Sequence, residues 1–143
     1  MATITSVNAV FMISIFPIFP APQKLQGFMA DDMYDVETVD IAEIVLGVDG
    51  YTSAGFVPYN TKQTVAIMPD SISINVFETW ILSEKLLQEK LKASAKITLP
   101  ATNAEYTLTG GILTTVVSVP AAKRVLQGRH FVITWTDISK ATI

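Results

Sequence analysis

The sequence predicts a mainly β chain with one flanking helix, an α+β arrangement. The last third carries most of this reading: AKITLP, EYTLTGGILTTVVSVP and RHFVITW alternate apolar residues with Thr, Ser and Tyr, as strands do. A single stretch, Ser71–Lys92, shows helical spacing instead. The charge balance is the third observation. Hydrophobic residues make up 50% of the 143 and charged residues only 16%, against about a quarter in ordinary soluble domains. That balance excludes disorder. It predicts either membrane insertion or a large share of surface buried in an assembly.

Membrane insertion fits poorly, because a spanning helix needs about 20 apolar residues in a row. The run Ala9–Phe19 is shorter and is interrupted by Ser14 and Pro17. A signal peptide lacks its positive n-region, since no Lys or Arg precedes Lys24. No membrane anchor is therefore expected. The chain reads as one domain over residues 1–143, large enough to hold its own core.

Taken in order, Thr3–Phe16 is rich in Val, Ile, Phe and Thr and reads as a strand. Pro17, Pro20 and Pro22 then oppose regular ladder pairing, so Pro17–Met33 reads as a long loop. Its apolar residues Ile18, Phe19, Leu25, Phe28 and Met29 are unusual for a loop, which normally runs in water. Two readings stand: they close one end of their own core, or they pack on another subunit together with Phe16. Tyr34–Leu46 is a strand region with a break or bulge near Asp40. Gly47-Val48-Asp49-Gly50 is a turn, Tyr51–Pro58 a short strand or loop, and Thr61–Ile67 a strand stopped by Pro69.

Within Ser71–Lys92, Val76, Phe77, Trp80, Ile81, Leu87 and Leu91 recur at helical intervals. Asp70, Ser71 or Ser73 is placed to cap its start. Phe77 and Trp80 share a face, which reads as packing on the sheet. Three strands follow: Ala95–Leu99, Glu105–Leu113 with extension through Val119, and Arg129–Thr136. Gly110-Gly111 marks a bend or bulge, and Pro120–Gly128 is a loop or short helical turn.

Residues suited to catalysis are sparse. There is no Cys, which removes disulfides, thiolate chemistry and zinc–cysteine sites. His130 is the only histidine, and no acid beside it in sequence would orient it. Asp31 and Asp32 match neither a calcium loop nor a glycosidase pair. Neither glycine pair precedes a helix carrying Lys and Ser/Thr, so no phosphate loop is present. No catalytic residue, metal or cofactor is expected, and an enzyme is disfavoured. The net charge of −3 opposes non-specific attraction to nucleic acid. Acid concentrates in Asp31–Glu43, while Lys123, Arg124 and Arg129 form a small basic cluster. A salt bridge between that cluster and the acidic stretch of a neighbouring subunit is the reading these charges support. Phe16, Ile18, Phe19, Phe28, Met29, Asp31, Asp32, Lys123, Arg124 and Arg129 are thus the candidate inter-subunit contacts.

From about Val57 onward the chain resembles the tail tube proteins of tailed bacteriophages, those of contractile tails above all. The residues that carry this are the segment MPDSISINVFETWI, followed by Leu99-Pro100, Tyr106, Gly110, Leu113, Pro120, Lys123 and Trp135-Thr136-Asp137. The resemblance implies an antiparallel β-sandwich or barrel with one flanking helix. It implies hexameric rings stacked into a tube inside a sheath, ending at baseplate and tail-terminator proteins. DNA would pass through the channel without specific binding. The location implied is the virion, after synthesis in the host cytoplasm. The alternatives are another virion ring protein of the same fold, at the baseplate or tail end, or a small β-barrel that binds an apolar ligand.

Overall fold

The computed structural model describes residues 9–29 and 33–142. Ten strands and one helix follow in the order β1 (Val10–Ile15), β2 (Phe19–Leu25), β3 (Tyr34–Val36), β4 (Ala42–Leu46), β5 (Thr52–Phe56), β6 (Thr61–Ile67), α1 (Ile74–Leu87), β7 (Ala93–Leu99), β8 (Ala104–Val116), β9 (Arg129–Trp135) and β10 (Asp137–Thr142). All strand pairings are antiparallel. The expected class, mainly β with one helix, is borne out.

The main sheet runs β2-β1-β7-β8-β9-β6-β3, and β10 also pairs with β8. β8 is the long spine. Its first half is flanked by β7 and β10, and its second half pairs with β9. The sheet curls on itself. Phe28 bridges to Ile67, and the Phe11 ring of β1 meets the Tyr34 ring of β3 edge-on at 6.0 Å. Alternation explains what fills the interior: Phe131, Ile133 and Trp135 of β9 face inward with Phe11, Ile13 and Ile15 of β1, and all six are buried.

The helix lies over the part of this core nearest Arg129. Phe77 and Trp80 are both fully buried, as their shared helical face predicts. Helix α1 is shorter than the Ser71–Lys92 expectation. Gln88 takes a left-handed backbone conformation and ends it. Glu84 then accepts from the Leu91 backbone N–H at 3.0 Å, which ties the exit chain to the last turn. Ser73 stands at the cap position, but its hydroxyl accepts from the Gln26 N–H at 2.8 Å instead of capping the helix.

Three expectations need correction. Pro17–Met33 is not a loop throughout: Phe19–Leu25 pairs with β1 as an edge strand. Its prolines are tolerated because the register jumps. Ile13 pairs with Gln23 and Ile15 with Phe19, so Pro20–Pro22 fall in the irregular segment where the ladder requires no N–H. The N-terminal strand covers Val10–Ile15, while residues 1–8 of the Thr3–Phe16 expectation lie outside the described residues. Finally, the C-terminal block has a fourth strand, β10, which restarts pairing with β8 after a break at Thr136. The bulge expected at Gly110-Gly111 is present: Ala93 pairs with Gly111 but Ala95 with Leu108. Gly110 there has φ +65°, in the left-handed region that favours glycine.

Candidate assembly interface

The β6–β9 ladder gives the molecule two poles. Thr61 pairs with Trp135 at one end and Ile67 with Arg129 at the other, so the ends lie about 20 Å apart at strand rise. The chain leaves the sheet after Val36 and returns at Thr61, both toward the Trp135 pole. Between them stands a separate two-stranded hairpin, β4–β5. β8 ends and β9 begins at the Arg129 pole, so the connecting loop, residues 117–128, lies there.

The hairpin arm is exposed at every residue of both strands. Its uncovered side chains are large and apolar: Ile44, Val45, Leu46, Val48, Tyr51 and Phe56. The arm is nonetheless well formed. Five residue pairs run from Ala42↔Phe56 to Leu46↔Thr52. The Gly47 N–H donates to the Tyr51 carbonyl at 2.8 Å, and the Tyr51 N–H donates to the Asp49 carboxylate at 3.1 Å. At the base, the Lys62 N–H donates to the Glu37 carboxylate at 3.2 Å and the Glu37 N–H to the Lys62 carbonyl at 3.0 Å. Charge in the arm is one-sided: Asp35, Glu37, Asp40, Glu43 and Asp49 occur with no Lys or Arg between Tyr34 and Asn60.

The loop at the opposite pole has the reverse character. Val119, Val125 and Leu126 are exposed beside Lys123 and Arg124, and residues 117–128 contain no acid. Its shape is fixed from below by Arg129. That guanidinium is 3% exposed, pairs with Glu78 of the helix, and donates to the Val117 carbonyl at 2.7 and 2.9 Å and to the Ser118 carbonyl at 3.1 Å. It also lies 5.0 Å above the Phe131 ring centre. Within the loop the Gln127 N–H donates to the Ala121 carbonyl at 2.9 Å.

The sequence candidates therefore separate. Lys123 and Arg124 are exposed and free to meet a neighbour, whereas Arg129 is engaged within its own chain and is withdrawn as an inter-subunit contact. Burial of its charge is tolerable because each side of the guanidinium meets a carboxylate or carbonyl oxygen. Phe16 is exposed. Ile18, Phe19 and Phe28 pack against the core of their own chain, and Met29 lies against Gly128, which favours the core-closing reading for these four. Asp31 and Asp32 lie outside the described residues. The structure does not bring the candidates to one place. Sequence reasoning missed the arm as an exposed apolar surface: its apolar residues were legible as strands, but not that they lack cover among the described residues.

A second feature is an apolar cleft of 320 Å³ at the Trp135 pole, lined by Tyr34, Val36, Ile97, Leu99, Tyr106 and Ile138, with Gln63 also in its wall. The Gln63 amide oxygen accepts from the Trp135 indole N–H at 2.9 Å, and its amide nitrogen has no partner among the described residues. Burial pushes the Tyr34 phenol up from its ordinary pKa of 10.0, with the neighbouring Tyr106 adding to the effect. No cluster of His, Asp and Glu that could hold a metal occurs among the described residues.

This fold is shared with components of contractile injection systems. A tube-terminating cap of the anti-feeding prophage matches with TM-score 0.60 at 14% identity, covering 100% of this chain and 93% of that one. A chain of the six-fold symmetrised baseplate of the same particle matches with TM-score 0.60 at 13% identity, covering 99% and 98%. A chain of the sheath–tube complex of an extracellular contractile injection system in its extended state matches with TM-score 0.58 at 15% identity, covering 93% and 88%. No curated protein matches the chain by sequence. The family described as Tail fiber protein gp32 matches residues 2–139, and the chain belongs to that family.

Proposed function

We propose that this chain is a structural virion protein, the subunit of a phage tail tube that forms hexameric rings stacked around a channel for genome delivery. The family description names a fibre, but the fold is that of tube, cap and baseplate chains. One observation carries the reading. The hairpin arm is exposed at every residue of both strands, and its large side chains Ile44, Val45, Leu46, Val48, Tyr51 and Phe56 are apolar, so a neighbour is needed to cover it. Closed rings in this reading join two different surfaces of each copy.

Sheath, baseplate and terminator proteins are the further partners in this reading, and DNA crosses the channel without a specific site. The net charge of −3 suits that passage. Negative-stain images and sedimentation of the purified chain test the proposal. Stacked rings are expected. Isolated rings that never stack would place the chain at the tail end or baseplate. A species that stays monomeric at all concentrations would sink the assembly reading and leave the apolar cleft as evidence for a ligand-binding module.

A further inference from the structure

We draw no further inference here: the strongest candidate, the apolar cleft between β3, β7, β8 and β10 with the Gln63 amide in its wall, carries nothing, because that amide is fully buried and nothing in the structure shows what covers the cleft.

Discussion

Phe77 of the helix and Phe131 of β9 stack face to face, with ring centres 4.3 Å apart and planes 8° from parallel. Trp80 continues the stack at 6.3 Å from Phe77. The helix is thus held to the sheet by an aromatic column, with the Arg129 guanidinium over Phe131 beside the Glu78 pair.

Phe77→Ala should cost about 3–5 kcal/mol, the range for removing a buried ring where the surroundings cannot collapse. Urea unfolding of the soluble fraction, or loss of soluble protein, reads this. Trp80→Phe should cost far less than Trp80→Ala. The indole N–H is buried with no partner among the described residues, so losing it removes a desolvated donor. A Phe77→Ala variant as stable as the parent would mean that the helix face is misassigned.

Arg129→Met should cost about 1.5–3 kcal/mol per hydrogen bond to the charged group that is not recovered, because the Val117 and Ser118 carbonyls lose their donor. Glu78→Gln should matter less, since that carboxylate is half exposed and water replaces its partner. Amide hydrogen exchange in residues 117–128 distinguishes the two. It should accelerate in Arg129→Met and change little in Glu78→Gln.

Gly111→Ala tests the bulge in β8. A Cβ at Gly111 would run into the Trp135 ring, which is itself fixed by its hydrogen bond to Gln63. Overpacking of this kind costs about 1–3 kcal/mol. A thermal midpoint unchanged from wild type would show that the ring can move aside.

These sites differ in how far the sequence revealed them. Strands β6, β7 and β9 and the helix were legible because period 2 and period 3.6 are both strong there, and the Phe77/Trp80 face followed from spacing alone. β2 was hidden by its prolines, since whether a proline breaks a strand depends on a register jump that no local pattern reports. β10 was hidden because DISKAT has no buried face to alternate. Arg129 reads from the sequence as a contact to a neighbouring subunit, and only the fold brings Glu78, 51 positions earlier, and two loop carbonyls to it. The arm is the reverse case: Ile44, Val45 and Leu46 look like core residues, and only the topology shows that they have nothing to cover them.

Burial holds the Tyr34 phenol above its ordinary pKa, so the folded state retains a proton that the unfolded chain releases. The unfolded state then binds fewer protons, and stability falls as pH rises. This contribution is fully present below the unfolded pKa of 10.0 and is lost as pH climbs from there through the higher folded value. Urea midpoints at about pH 8 and about pH 11 should therefore diverge more in the wild type than in Tyr34→Phe. Equal divergence would remove Tyr34 as the cause.

Removing the arm separates folding from assembly. Replacing Ala42–Phe56 by a short Gly-Ser turn deletes β4 and β5, which form their own two-stranded sheet and lend no strand to the main one. The base stays closed through the Glu37–Lys62 hydrogen bonds, and none of the deleted residues belongs to the buried core. The main sheet should therefore persist, with unfolding midpoint and far-ultraviolet spectrum close to those of the parent after allowance for the lost hairpin. Taking away the uncovered aliphatic side chains should also raise solubility. Self-association is what should fail. Sedimentation should give a small species at concentrations where the intact chain stacks, and negative-stain images should show no tubes. Deleting Phe19–Leu25 is the control. That segment is a paired edge strand with Leu25 buried, so its loss should unfold the N-terminal part of the sheet along with abolishing assembly. Should the armless chain still build tubes as readily as the full one, the arm would be dispensable, and the exposed apolar surface would have to be covered by some other contact.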